Sequence, residues 1–448
     1  MNSRQINSNR SSLLKALVLS GLIFTTSSFN LVQAAEQPLT LQEIVNIAIK
    51  NNPAVIETQQ RWEEKISKVP SVTAQPNPKL GFMKDEIAGS PLNIGSAVMT
   101  EISLSQEIMN PAKLKAMGKM AENDAYMTKA GYSEKQLDIY TQTKQAYYDY
   151  LYAKQALVIG KETQQLMGQL AKLAQVNYST GMVPLQDTLK AQTEFSKMTA
   201  DLLNMAAMEA VAKAKLNNLM GRSADAQIEV TEEFNAPPPN LDLAELTKIA
   251  AAEKPAIIGM NYQVEMAKST VELARKQKLP DFEFTLGYKT NKEKMVEETE
   301  MGLMLEDRKP TWKVEIMAML PIRQGKIKAD IKAAEANLAA AEAALKNMKN
   351  MAELDVQMAL ADAQASWRQI DLYKNTIIPQ AEQTYQAATV SYTNGKTDFM
   401  TVLEAVNTLR NAKLGLYKAK VDYEKAIANL EKAVGKPLFL NADITKVK

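Results

Sequence analysis

An internal duplication constrains this chain more than any other feature. SYTNGKTDFMTVLEA, at residues 391–405, has a near-echo in NYSTGMVPLQDTLKA at residues 177–191. Tyr178 answers to Tyr392, Gly181 to Gly395, Leu189 to Leu403 and Ala191 to Ala405, always 214 positions apart. The register runs on without a gap to the pairs Leu216/Leu430 and Gly221/Gly435. Upstream, LTLQEIVNIAIKNNPAVI from Leu39 resembles LDLAELTKIAAAEKPAII from Leu241, at an offset of 202 that Pro78 and Pro280 still keep. By Glu101/Glu315 the offset has become 214, so the second copy gains 12 residues between Pro280 and Glu315. A repeat this long in register means one structural unit built twice. The expected division is a first repeat over 36–235, a stiff APPPN linker at 236–240, a second repeat over 241–440 and a tail at 441–448.

Each copy carries the same parts in the same order: a helix, two strand-like segments, a very long helix, a turn and another long helix. The strands are expected at about 78–109 and 280–322, and the long helices at about 111–220 and 324–434. In DFEFTLGYK, Phe282, Phe284, Leu286 and Tyr288 alternate with polar residues; in TWKVEIMAML, Trp312, Val314, Ile316, Ala318 and Leu320 do so. VMTEISLSQEI sets Ile102, Leu104 and Ile108 against Glu101, Ser103, Ser105 and Glu107, whereas KLGFMKDEI alternates less cleanly. Period-two alternation gives one apolar and one polar face, and these strands approach the roughly 9–11 residues that cross a bilayer. The long charged connection KTNKEKMVEETEMGLMLEDRK reads as an extracellular loop.

The helices are rods. From Pro111 to about Asn177 there is no internal proline, and Asn110 before Pro111 is a good helix start. Some 65 residues of helix span about 100 Å. Ile327, Ile331, Ala334, Leu338, Ala341, Leu345 and Met348 step by four and three, while Leu409, Leu416, Tyr423 and Leu430 recur every seven, as coiled-coil seams do. Gly181 and Gly395 stand where a long helix ends, the usual place for a left-handed cap. They mark equivalent tips of two equivalent helical hairpins.

Residues 1–35 read as a secretory signal peptide: Arg4, Arg10 and Lys15, then ALVLSGLIF, then VQAA. The whole chain carries a formal charge of +2, and losing those three cations leaves it close to neutral, which argues against nucleic acid as a partner. Cys and His are both absent. That removes disulfides, thiol nucleophiles, the usual general base and the common zinc ligands, so neither an enzyme nor a cofactor is expected. Four membrane strands cannot close a single-chain barrel, and open edges are not tolerated in lipid. The chain must oligomerise, as a dimer or a larger ring.

LTLQEIVNIAIKNNPAV, PNPKL, EISLSQEI, the turns YSTG and YTNG, DFMTVLEA, and the closing NLMG and EKAVG together resemble the TolC family of outer-membrane channels, from about Leu39 to Phe439. PNPKL, EISLSQEI and LPIRQGKIKADIKAAEANL look most like its heavy-metal (cobalt–zinc–cadmium) branch. The resemblance implies a mainly α fold with a small membrane β part, and a homotrimer. Its 12-stranded outer-membrane β-barrel would continue into a periplasmic α-helical barrel. It implies a passive export duct for metal cations or drugs, working with a periplasmic adaptor and an inner-membrane pump of RND type. The family narrows its tunnel with acidic residues beside the tips, which places the constriction at Asp187, Thr401 and Glu404; at 401 many relatives carry an acid instead. Adaptor docking falls on the tip turns, at Tyr178, Gly181, Tyr392, Gly395 and Lys396.

Methionine offers a sharper alternative. Of 24, some lie in the acidic loop (Met295, Met301, Met304) and some on lumen-side positions (Met99, Met317, Met319). Thioethers are soft ligands for Cu(I), but Met also replaces Leu in helix packing, as Met198, Met205 and Met348 suggest, and packing is the reading we adopt. The rival to a duct is a trimeric coiled-coil structural or adhesive surface protein, which accounts for the rods but not for duplicated strand pairs. A metal-dependent envelope hydrolase ranks third, for want of a carboxylate cluster.

Overall fold

Thr40 and Glu43 start the first helix by capping each other. Glu43 N donates to Thr40 Oγ1 (3.3 Å) and Thr40 N donates to Glu43 Oε2 (2.9 Å), which satisfies two otherwise orphaned amides and opens α1 (Leu41–Asn51). Asn52 then caps α2 (Pro53–Thr73), whose leading proline loses no hydrogen bond at that position. The computed structural model describes residues 38–440 except 86, 88–91, 93, 95–96, 233, 235–237, 240, 293 and 300–301. The expected signal peptide, most of the linker, Met301 and the tail lie outside the described residues.

Six strands occur in chain order: β1 (Lys79–Asp85), β2 (Met99–Ile108), β3 (Asp281–Asn291), β4 (Lys294–Thr299), β5 (Gly302–Asp307) and β6 (Thr311–Met319). Four make one antiparallel sheet, β1-β2-β3-β6, while β4 and β5 pair only with each other. The register sets Phe82, Ile102, Tyr288 and Trp312 side by side, with Leu80, Leu104, Leu286 and Val314 in the next row. This apolar face is open, Val314 being 75% exposed. The opposite face carries Glu101, Ser103, Ser105, Thr285, Lys313 and Glu315, with a Ser105–Thr285 hydroxyl contact of 2.8 Å and a Lys313–Glu315 ion pair of 2.9 Å. Met99, Met317 and Met319 share that face. The expected alternation is therefore present in all four strands, including the less regular β1.

The charged connection between β3 and β6 corrects one expectation. It is a two-stranded ribbon with a two-residue turn, not an irregular loop. A segment of that length leaving a sheet must satisfy its own amides, and pairing with itself does so.

The rods follow: α3 (Pro111–Ser179, 69 residues) and α4 (Leu185–Leu219) in the first copy. In the second, after α5 (Leu243–Glu253) and α6 (Pro255–Lys276), come α7 (Gln324–Leu372), α8 (Ile378–Thr393) and α9 (Phe399–Val434). Asn110 caps α3 through Ala112 N at 3.0 Å. A single π-helical turn, Tyr373–Ile377, joins α7 to α8. Pro379 supplies no amide to the turn before it, and a wider turn absorbs that loss. Tyr373 packs flat into the notch left by Gly415, where a Cβ would stand 2.5 Å from its ring.

Tyr140, Tyr147 and Tyr148 of α3 pack with Leu41, Ile44, Val45 and Ala48 of α1 in the largest core cluster. Beneath it lies a buried ion pair. Glu431 of α9 accepts from Lys144 Nζ (2.6 Å), Tyr140 OH (2.8 Å), Leu438 N (2.9 Å) and Phe439 N (3.1 Å). Burial, then the Glu431 charge, pushes the Tyr140 hydroxyl far above the ordinary tyrosine range. A buried carboxylate with four donors is fully satisfied, and it ties the far end of α9 to α3 and to the chain that follows.

Candidate functional site

At the other end of the rods, both hairpins turn in the same way. Gly181 has φ +74° and Gly395 φ +69°. In the first turn Gly181 N donates to Tyr178 O (3.0 Å) and Met182 N to Asn177 O (2.8 Å); in the second Gly395 N donates to Tyr392 O (3.0 Å) and Lys396 N to Ser391 O (2.9 Å). This paired pattern closes the last helical carbonyls and requires a residue that tolerates positive φ. Gly221 and Gly435, the pair that ends the matching helices α4 and α9, are also left-handed, at +70° and +94°.

The two tips share a backbone but not an environment. Tyr178 is 44% exposed, whereas Tyr392 is fully buried, edge-on to Phe399 at 6.0 Å between ring centroids. It sits in a cluster with Met167, Leu170, Ala174, Val183 and Val402. Burial, helped by the nearby Asp187, pushes the Tyr392 hydroxyl up to about 12. The expectation that Tyr392 forms part of a docking surface is therefore corrected, since its ring belongs to the tip's core. Tyr178, Gly181, Gly395 and Lys396 stand exposed.

Asp187 is corrected likewise. Its residue is 5% exposed, and its Oδ2 accepts from Phe399 N, the first amide of α9, at 3.4 Å. Pro184 gives α4 no side-chain cap, and Asp187 stands in that helix's own first turn. One carboxylate thus lies at two helix N-termini, where negative charge is favoured. A side chain enclosed by its own chain cannot line a channel directly in this conformation. Sequence symmetry concealed this, because Asp187 matches Thr401 at the offset of 214, and Thr401 is exposed.

Thr401 and Glu404 lie on the solvent side of the α9 start. Thr401 donates both N (3.1 Å) and Oγ1 (2.7 Å) to Asp398 Oδ1, and these two bonds hold the Asp398 carboxyl below its ordinary range. Glu404 is exposed, one turn further on. Between the starts of α4 and α9 runs a groove of about 590 Å³, floored by Leu185, Leu189, Met400 and Leu403 and edged by Lys190 and Glu194. Sequence reasoning missed this groove, whose walls come from two helices remote in the chain. Further along, Arg410–Asp201 (3.7 Å) and Lys413–Glu162 (3.8 Å) connect α9 to α4 and α3.

Among the described residues no helix is long and apolar enough to cross a membrane. The open apolar face of the sheet is the part of the chain suited to lipid. The "Outer membrane efflux protein" family profile matches residues 44–222 and 246–436. Cobalt-zinc-cadmium resistance protein CzcC of Cupriavidus metallidurans is 21% identical, over 90% of this chain and 91% of its own. Outer membrane protein TolC of Escherichia coli is 21% identical, over 94% of this chain and 85% of its own. The solved structure of CusC superposes with a TM-score of 0.73 at 18% identity, covering 89% of this chain and 92% of that one. With its duplicated helical hairpins, its membrane-suited sheet and these matches, the chain belongs to the outer membrane efflux protein family.

Proposed function

We propose that three copies of this efflux channel join edge to edge, pooling their strands into a 12-stranded barrel and their rods into a periplasmic tube. The observation that carries this reading is the sheet itself. β1 and β6 each pair on one side only among the described residues, while one whole face is apolar and open. Neither an unpaired edge nor a lone four-stranded sheet is tolerable in lipid.

The duct is passive, performs no chemistry, and receives its cargo from an inner-membrane pump of RND type through a periplasmic adaptor. Metal cations are the cargo we favour over drugs, from the likeness to CzcC and from Glu404 at the narrow end. Three-fold symmetry would make Glu404 a ring of three carboxylates beside a ring of Thr401, which attracts cations and resists anions. Asp187 supports that ring from behind by holding the start of α9. The exposed turns at Tyr178, Gly181, Gly395 and Lys396, with the groove between α4 and α9, form the adaptor surface.

The test is sizing of the mature protein in mild detergent by light scattering, followed by conductance in planar bilayers. A trimer that conducts, and loses cation preference on Glu404→Gln, is expected. A stable monomer would remove the barrel and the duct together.

A further inference from the structure

Where sheet meets helix, the two copies differ. In the first, Asp281 accepts from both Asn110 N (2.8 Å) and Lys113 Nζ (2.6 Å), beside the Asn110 cap of α3. That helix start is closed and its cation is neutralised. In the second, α7 begins after Arg323, which makes no side-chain cap, and its first turn holds no acid. Among the described residues, neither Arg323 nor Lys326 has an ion-pair partner, and Gly325 N has no backbone acceptor. A groove of about 470 Å³ opens beside them, lined by Gln277, Pro321, Ile322, Arg323, Lys326 and Asp330.

Its position says what covers it. Leu320 and Ile322 extend, beyond the end of β6, the same every-second-residue row that sets Trp312, Val314, Ile316 and Ala318 on the apolar face. Ile322 is 80% exposed, and Arg323 follows it directly. The headgroup layer flanking a bilayer's hydrocarbon core is only about 5–7 Å deep on each side, so cations one residue past the apolar row lie at headgroup depth. A guanidinium, an ammonium and a free helix-start amide converging there are complementary to a phosphate.

We propose that this groove seats an anionic phospholipid of the periplasmic leaflet, its phosphate on Arg323, Lys326 and the α7 N-terminus, and its chains along Leu320 and Ile322. The proposal rests on the barrel reading above. Asp330, one turn beyond Lys326, faces the groove's inner end and would exclude a second phosphate by repulsion.

Native mass spectrometry of the detergent-purified full channel, with phosphatidylglycerol, phosphatidylcholine or inorganic phosphate added, tests it. Wild type should retain phosphatidylglycerol in preference to phosphatidylcholine. Arg323→Gln and Lys326→Gln should each weaken that retention about fivefold, and the double variant roughly 25-fold. Lys172→Gln, an exposed cation near the far end of α3, should change nothing. Undiminished retention by the double variant would overturn the proposal, and so would displacement of the lipid by equimolar inorganic phosphate. Dissociation of the double variant into monomers without loss of lipid would instead assign the groove to a neighbouring copy, overturning it too. Conductance of the same samples keeps the two readings apart: a wild type that never conducts removes the barrel, whereas conducting variants with unaltered lipid remove only this site.

Discussion

Removing the Asp187 carboxylate should loosen the tip of the second hairpin. The group accepts from Phe399 N at 3.4 Å and stands in the uncapped first turn of α4. A charged hydrogen bond of ordinary length contributes about 1.5–3 kcal/mol, and at 3.4 Å the lower end applies. Each helix N-terminus adds roughly 0.3–1 kcal/mol, while burying the carboxylate offsets part of the sum. The net for Asp187→Ala is about 2 kcal/mol, roughly a 30-fold rise in the population with the α9 start detached. Asp187→Asn keeps an acceptor oxygen and loses the charge, so about 1 kcal/mol, or roughly fivefold, is expected. Single-channel recording reads this as open probability, ordered Ala above Asn above wild type. In cells it appears as entry of bulky antibiotics that the intact channel excludes. Open probability unchanged in both variants, with normal trimer yield, would refute the idea that this carboxylate holds the tips together.

On the sheet, Ile316→Arg should cost assembly roughly 2–4 kcal/mol, because position 316 faces lipid, while Glu315→Gln on the opposite face should assemble normally; equal tolerance in a heat-modifiability gel would contradict the register. Lys144→Met leaves Glu431 as an uncompensated buried charge and should destabilise by about 3–5 kcal/mol; adding Glu431→Gln should recover more than half in a thermal-melt double-mutant cycle. Glu134 has its carboxyl held above the ordinary range by burial and then by Asp138, despite Lys254 and Lys432 nearby. A raised folded-state value means the fold prefers the protonated acid, so this group destabilises at neutral pH and ceases to do so as pH falls through its raised value. Glu134→Gln should therefore raise the melting temperature at neutral pH and flatten its pH dependence between neutral and mildly acid conditions; an unchanged slope would assign that dependence elsewhere.

Much of this fold is local in origin, and therefore legible in the chain. Positive φ at Gly181, Gly221, Gly395 and Gly435 is a single-residue demand, so glycines at a constant offset mark equivalent turns before any contact is known. Alternation in β2, β3 and β6 is likewise local, since successive side chains point to opposite faces whatever lies beyond. Caps such as Thr40–Glu43 and Asn110 act within three residues. None of these signals reports which face of a repeat its partner covers. Tyr178 and Tyr392 occupy matched positions in matched turns, yet one is solvated and the other enclosed, because the α9 start packs onto α4 and a single contact between two similar hairpins must use different faces of each. That contact buries Asp187, and it alone forms the groove at Leu185 and Met400. The self-pairing of β4 with β5, the π-helical turn over Gly415 and the Lys144–Glu431 pair were also decided by tertiary packing. Duplication specifies two copies of a backbone; burial depends on neighbours brought from hundreds of residues away, and those are not the same for both copies.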